Sequence, residues 1–328
     1  MTSNRLRAVG IAGGIAGAAL FVWALKTAGV NSVLSAVERL GAGFAVIVVL
    51  GGVRHLVRAA AWRLCFDDPS ALPLAWSMAA YVSGDAVGNV TPFGIVASEP
   101  SKIVLLRHRV DAAAAIPALA LENLCYGASV VLMLVAGTAA LFAAFDVAPS
   151  VRAAGALVVA GVVALVAAAV GVARVRPAFV RPHVEFTRRH RERLWSIAAL
   201  ELTYHALAVL EIWIALTLIT GVAPTLLTAF VLEYVNRTIT VVFQFVPLWL
   251  GVDEAGTGLM TSTLGLAGAT GVALAIARKA RILIWTGVGL ALVGIFQRRP
   301  VFTSEQNDDR YRWRNGFPRP SSGRSARR

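Results

Sequence analysis

Charged residues are scarce in this chain of 328 residues, and their scarcity excludes a soluble domain. They make up 15% of the sequence, while hydrophobic residues make up 57%. Ordinary soluble domains carry about 25% charged residues. Apolar runs of about 20 residues recur along the chain, and one helix needs that length to cross a bilayer. The composition therefore predicts a multi-pass membrane protein.

Residues for metal and redox chemistry are also few. The chain has two cysteines, Cys65 and Cys125, and five histidines, and none of them shows metal-ligand spacing. A Gly-rich phosphate loop, a G-x-S-x-G elbow and an H-E-x-x-H motif are all missing. We therefore expect no metal and no cofactor, and no known catalytic motif indicates an enzyme.

Acidic residues are outnumbered, 18 against 31 basic ones, which gives a net charge of +13. Residues 174–194 contain seven arginines and two glutamates, and residues 297–328 contain nine arginines and three acidic residues. Basic segments near span ends stay in the cytoplasm. Neither segment is interleaved with stacking aromatics in a recognisable module, so nucleic acid is not an expected partner.

The apolar runs predict an all-α fold, a polytopic membrane helical bundle with about six full spans. The spans are expected at 8–28, 41–60, 112–144, 151–173, 195–219 and 272–295. Six crossings put both termini on the cytoplasmic side of the cell membrane, in agreement with the basic segments. Residues 1–297 then form one transmembrane domain, and residues 298–328 are expected to be a disordered basic tail.

Two more apolar stretches, 72–108 and 226–270, are interrupted by glycine, proline and acidic residues. Non-helical backbone at membrane depth is tolerated only where protein or a water-filled cavity covers it. We therefore predict two re-entrant helical hairpins, the first inserted from the cytoplasm and the second from outside, after the uncharged turn 221–225.

The tips of the two hairpins share a spacing. Glutamate follows proline by seven residues in both, as Pro92 and Glu99 in the first and Pro247 and Glu254 in the second, with a glycine between them. In oppositely inserted segments this suggests an inverted repeat, whose interface near the midplane is where secondary transporters bind substrate. Coincidence is the alternative, because proline and glutamate are common.

At these residues the chain resembles the flippase-like family that includes the membrane domain of lysylphosphatidylglycerol synthase. The family's first motif is matched by Pro92, Gly94, Glu99 and Lys102. Its second motif is matched by Pro247, Gly251 and Glu254. Basic residues after an apolar run and a mid-chain glutamate add Arg58, Arg63 and Glu122. The resemblance covers about residues 1–297 and implies a membrane lipid-handling protein.

The chain departs from the family pattern at three positions. Ser98 stands where glycine usually precedes the first glutamate, Trp249 replaces the first glycine of the second motif, and Asn123 stands where arginine is common. These departures bear on the lipid more than on the fold. The aminoacyl-transferring domain of the full synthase has no counterpart in this sequence, so lysine transfer is not expected.

Ionisable residues within the apolar stretches are the main functional candidates, since each costs about 2.5–3.5 kcal/mol at the centre of a span. Arg278 and Arg281 have i,i+3 spacing and can face one cavity, where the arginine fork suits a phosphate. Their alternative role is structural pairing with a glutamate of another segment, for which the candidates are Glu99, Glu122 and Glu254.

Two i,i+4 pairs complete the candidates. Glu233 and Arg237 should contact each other on one helix face, either as a structural ion pair or as part of the site. Glu201 and His205 could form a proton relay, although a packing role for the histidine is the simpler interpretation. The predicted substrate-binding residues are Asn89, Pro92, Gly94, Glu99, Lys102, Glu122, Glu211, Arg237, Pro247, Gly251, Glu254, Arg278 and Arg281.

The leading hypothesis is an integral membrane lipid flippase or transporter-like protein that accommodates a polar, anionic head group in a midplane cavity. The alternatives are an intramembrane enzyme acting on lipid or isoprenoid head groups, with Glu99 and Glu254 as general acid and base, and an accessory subunit of envelope-lipid biosynthesis. The expected partners are membrane lipids, with a second copy of the chain or a lipid-biosynthesis protein as further candidates.

Overall fold

The computed structural model describes residues 19–91, 94–107 and 109–297, and within these ranges the chain is helical with no strand. The all-α prediction is therefore confirmed for the described residues. The helices, in chain order, are α1 (Ala19–Ala28), α2 (Val30–Glu38), α3 (Phe44–Leu64), α4 (Leu74–Asn89), α5 (Gly94–Leu106), α6 (Ala112–Ala144), α7 (Pro149–Val175), α8 (Pro177–Arg189), α9 (Arg191–Thr220), α10 (Leu226–Val242), α11 (Val252–Thr263) and α12 (Gly268–Gln297).

Four of the described helices are long and apolar enough to cross a membrane: α3 with its preceding turn, α6, α7 and α9. They correspond to four of the predicted spans. Helices α1 and α2 meet at a bend of 85° and make a fifth if they act as one span. Residues 8–18 of the predicted span 8–28, like the tail 298–328, lie outside the described residues.

The predicted span 272–295 lies within α12, which has 30 residues. Three cations, Arg278, Lys279 and Arg281, interrupt its apolar character. The total of six spans therefore stays a prediction.

The first predicted hairpin consists of α4 and α5, which pack against each other. Their close approach depends on glycine, because a Cβ atom added to Gly94 would lie 2.6 Å from the Gly88 carbonyl oxygen. Pro92 lies between the two helices, outside the described residues. The stretch is thus a helix, a break and a helix, as the sequence predicts.

The second predicted hairpin contains α10 and α11, separated by a short 3₁₀ turn at Pro247–Trp249. Leu248 and Trp249 adopt positive φ angles of 53° and 51°, which cost energy for residues other than glycine. Gly251, with φ of 81°, is the N-cap residue just before α11. This stretch is broken where the sequence predicts, and the inverted relation of the two hairpins stays a prediction.

Two apolar clusters lie on either side of a charged layer along α3 and α9. One contains Trp62 near the end of α3 and Ile197 near the start of α9. The other contains Ile47 near the start of α3 and Ile212 in the second half of α9. Helix α12 packs against both α3 and α9 and also against α4 and α11, so it connects the two broken segments. Helix α7 is peripheral, because 6% of its most apolar 18-residue stretch is buried.

Candidate functional site

A network of ionisable side chains occupies the layer between the two apolar clusters, with further ion pairs in both broken segments. Its members come from eight helices, and most are buried. Within the described residues it comprises Arg54, Arg58, Asp85, Glu99, Lys102, Glu122, Glu201, Glu211, Glu233, Arg237, Asp253, Glu254, Arg278, Lys279 and Arg281.

One glutamate joins three helices. Glu211 on α9 accepts a hydrogen bond from Arg54 Nη1 of α3 at 2.9 Å through Oε2, and its Oε1 lies 2.8 Å from Arg281 Nε of α12. Both arginines are at most 10% exposed at the side chain. Two buried guanidinium groups therefore share one carboxylate.

Arg58, a second arginine of α3, has the opposite ratio of guanidinium groups to carboxylates. Arg58 Nε donates to Glu122 Oε1 of α6 at 2.6 Å, and the same nitrogen lies 3.6 Å from Glu201 Oε2 of α9. The side chains of both glutamates are at most 1% exposed. Two buried carboxylates therefore share one guanidinium.

Two tyrosines form an aromatic centre beside these ion pairs. The ring centroids of Tyr126 and Tyr204 are 5.8 Å apart in an edge-to-face arrangement. Guanidinium carbons lie within 6 Å of the Tyr204 centroid, which is the range of cation–π attraction: Arg54 at 4.5 Å, Arg58 at 5.5 Å and Arg237 at 5.6 Å. Arg58 also lies 3.5 Å above the Tyr126 ring. The aromatic faces bring three cations together in one place.

The contact predicted within α10 is confirmed. Arg237 Nη2 donates to Glu233 Oε1 at 2.7 Å, and its Nη1 donates to the Tyr126 hydroxyl at 2.8 Å. The second bond connects the pair to the aromatic centre. Asn236 donates to the other oxygen of Glu233 at 3.0 Å, so this carboxylate is well satisfied.

In the first broken segment, Lys102 is the central cation. Its Nζ lies 2.9 Å from Glu99 Oε1 and 3.3 Å from Asp85 Oδ1, and it sits 3.8 Å above the Tyr81 ring. Asn123 of α6 donates to the second oxygen of Glu99 at 2.8 Å. The asparagine that departs from the family pattern thus bonds the motif glutamate.

The second broken segment has a matching arrangement. Lys279 Nζ of α12 lies 2.8 Å from Glu254 Oε1 and 3.6 Å from Asp253 Oδ2 of α11. The second oxygen of Glu254 accepts the Gly251 N–H at 2.7 Å. Gly251 is needed here because its φ of 81° would strain any other residue.

The two arginines of α12 have different partners from those the sequence suggests. Arg278 Nη2 donates to Asp253 Oδ1 and to the Thr257 hydroxyl, and Arg281 pairs with Glu211. Pairing with Glu99, Glu122 or Glu254 is therefore wrong. The i,i+3 spacing fixes the shared helix face but not the helices that pack on it.

Glu201 and His205 are not bonded to each other as the predicted proton relay requires. His205 Nε2 lies 3.0 Å from Ser129 Oγ, and its ring stacks on Tyr126. Ser129 Oγ donates its hydrogen to the Tyr126 carbonyl at 2.7 Å, so His205 Nε2 is the donor toward Ser129. The histidine is bonded across to α6 and not to Glu201.

The remaining predicted residues lie at the breaks. Asn89, at the end of α4, donates to Thr286 Oγ1 of α12 at 3.0 Å. Gly94 begins α5, and Pro247 begins the 3₁₀ turn, whose Trp249 carbonyl faces Lys279 Nζ at 3.4 Å.

Several buried polar atoms in the network have no hydrogen-bond partner among the described residues. The donors include Nε of Arg54, Nε of Arg237, and Nε and Nη1 of Arg278, and the acceptors include Glu122 Oε2 and both oxygens of Glu201. Arg281 Nε, Glu211 Oε1 and Glu254 Oε1 also lack a hydrogen bond, but each lies 2.8 Å from an ion-pair partner. Buried polar groups in folded proteins are nearly always bonded, so each of these requires an explanation.

The predicted substrate-binding residues do not include the two tyrosines, Arg54, Asp85, Asp253 or Lys279, although all contribute to the network. Arg54 offered a signal, since it lies four residues before Arg58 in the middle of an apolar span. Tyrosine gives no signal of this kind, because tyrosines are ordinary residues of apolar helices. Their role follows from the packing of α6 against α9.

These features define a helical, multi-pass membrane protein with an ion network buried in its core. The chain matches the family described as Lysylphosphatidylglycerol synthase TM region over residues 8–291, and it therefore belongs to that family. Comparison with curated proteins and with solved structures gave no match.

Proposed function

We propose that this chain is a lipid flippase or transporter-like protein whose buried network accommodates the anionic head group of a membrane lipid. The head group occupies a cavity near the midplane, while the acyl tails stay in the bilayer. The family supports a lipid-related role. The head-group class is argued from the network itself.

The observation that carries the proposal is the set of arginine donors without an acceptor. Arg54, Arg237 and Arg278 each keep at least one buried guanidinium nitrogen without an acceptor among the described residues. Guanidinium groups bind phosphate oxygens with strong, charge-assisted hydrogen bonds. A phosphate-bearing head group supplies the acceptors that these nitrogens need.

The position of the network supports a site at midplane depth. Arg54 lies ten residues from either end of α3, a helix of 21 residues. At 1.5 Å per residue, that is about 15 Å from each end. Charges at this depth are costly and are kept where they pair or serve a function. The two broken segments, each with a lysine-bound glutamate, contribute charged groups to the same network and are the proposed moving parts.

The enzyme alternative is less well supported by the contacts. A general acid or base has to exchange a proton with its substrate. Both candidate glutamates instead have each oxygen engaged by a nearby donor or cation: Glu99 by Lys102 and Asn123, and Glu254 by Lys279 and the Gly251 N–H.

Reconstitution tests the proposal. The purified chain is inserted into liposomes that contain phosphatidylglycerol with a fluorophore on one acyl chain, and a membrane-impermeant quencher is added outside. We expect label from the inner leaflet to become quenched faster than in protein-free liposomes. Equal quenching in the two preparations would contradict the proposal.

A further inference from the structure

We infer that Glu122 and Glu201 hold one proton between them beside Arg58, which makes this pair a proton-binding site inside the bundle. The site itself does not depend on lipid transport. Its use as the coupling site that links proton movement to lipid movement rests on the proposed function.

The first step of the argument is the charge balance. Arg58 Nε lies 2.6 Å from Glu122 Oε1 and 3.6 Å from Glu201 Oε2, so one guanidinium serves two carboxylates. The side chains of both glutamates are at most 1% exposed, and water cannot screen the second negative charge. Two carboxylates that share one site in a low dielectric do not both stay ionised.

The second step is the hydrogen bonding. Both oxygens of Glu201 and Oε2 of Glu122 are buried without a donor among the described residues. An ionised carboxylate in this condition is strongly disfavoured, since buried ionised groups need partners. A protonated carboxyl group carries no net charge, so the cost of burying it without partners is much smaller.

The third step excludes another cation as the neutralising group. A second cation that acts on Glu122 is Lys102 of α5, but it already faces Glu99 and Asp85. The other titratable side chains around the site are Cys65 just after α3, Tyr81 on α4, Cys125 and Tyr126 on α6, and Tyr204 and His205 on α9. Of these, the His205 imidazole alone can carry a positive charge, and it is bonded to Ser129 and not to either glutamate.

The surroundings of Glu211 carry the opposite charge, and this difference explains why the proton is assigned to Glu122 and Glu201 alone. There, two arginines face one carboxylate, and the local charge is positive. The same helix, α9, therefore carries one carboxylate with surplus cations and another, Glu201, with too few. The proton is expected at Glu201 and Glu122 as a coupled pair, and not at Glu211.

Infrared spectroscopy of the full chain in lipid nanodiscs tests the site directly. We expect a carbonyl stretch of a protonated, buried carboxyl group in the unmodified protein at neutral pH. This band should be lost in Glu201→Gln and also in Glu122→Gln, because either glutamine leaves one carboxylate for Arg58. Glu185→Gln is the control: Glu185 pairs with Arg181 on exposed α8, and this variant should keep the band.

An unmodified protein without the band would overturn the inference, and so would a band that persists in both network variants. The first outcome needs no variant, so misfolding of a variant cannot conceal it. Liposome measurements then separate this inference from the proposed function. If lipid moves but the band is missing, the proton site is wrong. If the band is present but lipid does not move, the site stands and the proposed function fails.

If the chain moves lipid, the coupling of proton movement to lipid movement can be measured as well. A proton gradient across the liposome membrane should change the rate in the unmodified protein and leave it unchanged in Glu201→Gln, whose side chain cannot release a proton. A gradient effect of equal size in both proteins would show that the site does not couple.

Discussion

Lys279 Nζ on α12 lies 2.8 Å from Glu254 on α11, and this contact is matched in the first broken segment by Lys102 and Glu99 at 2.9 Å. Each glutamate belongs to one of the two stretches in which glutamate follows proline by seven residues. The two stretches thus share a local sequence pattern and a lysine partner. This equivalence supports the proposal that they are corresponding parts of one transport site.

Equivalent roles predict equivalent variants. Glu99→Gln and Glu254→Gln should each slow lipid movement to a similar degree, because each leaves a buried lysine without a carboxylate that it contacts closely. The double variant should be little slower than either single variant if the two residues act in one step. The rate in liposomes measures this, with Glu185→Gln as the control. Losses of very different size, or losses that multiply, would separate the two glutamates.

The sequence could predict only one half of this relationship. The glutamates are found from the repeated spacing, and Lys102 follows Glu99 by three residues, so a helix places them together. Lys279 follows Glu254 by 25 residues and belongs to another helix. Its contact depends on how α11 packs against α12, which no local pattern records.

Glu211 should be more important for stability than either of its arginine partners. Glu211→Gln leaves Arg54 and Arg281 buried and facing each other, and we expect a loss of about 3–5 kcal/mol in the free energy of unfolding. Arg281→Gln leaves Glu211 paired with Arg54 and should cost less. Thermal unfolding of the purified variants in detergent compares them. A larger loss in Arg281→Gln than in Glu211→Gln would contradict the assigned charge balance.

A glycine pair tests the packing that positions the site. Gly137 of α6 faces the Tyr234 ring of α10, and an added Cβ atom would clash with that ring. Gly137→Ala should therefore destabilise the chain by about 1–3 kcal/mol through overpacking. Gly161 of α7 has nothing within 4 Å of an added Cβ atom, so Gly161→Ala should be neutral or slightly stabilising. Equal effects in thermal unfolding would contradict the packing of α6 against α10.

Topology can be measured independently of function. With Cys65 and Cys125 replaced, single cysteines placed in 221–225 should react with a membrane-impermeant reagent added outside the cell. Cysteines placed in 181–190 should not react, because the basic segment around α8 is predicted to be cytoplasmic. The reverse pattern would place the protein in the opposite orientation.

The site was only partly predictable for a physical reason. Buried charges such as Glu122, Glu211 and Arg237 are conspicuous in an apolar sequence, because burial of a charge is costly unless it is paired or functional. Their partners come from helices far apart in the chain. Tyr204 could not be identified, since its importance lies in the three guanidinium groups around it.

Arg278 separates a structural role from a lipid-binding role. In Arg278→Lys the positive charge beside Asp253 is kept, whereas the guanidinium nitrogens without acceptors are removed. Lysine does not reproduce the planar fork that binds phosphate. We expect thermal stability close to that of the unmodified protein, and lipid movement slowed by about tenfold or more, since hydrogen bonds to charged groups are worth about 1.5–3 kcal/mol. The control is Arg188→Lys on exposed α8.

Mass spectrometry of the lipid that copurifies with the chain tests the central claim most directly. The claim is that buried arginine donors bind the phosphate of an anionic head group. It predicts that the unmodified protein and Arg188→Lys retain an anionic phospholipid enriched over the surrounding membrane, and that Arg278→Lys retains much less. Retained lipid with the composition of the bulk membrane in all three proteins would contradict the claim.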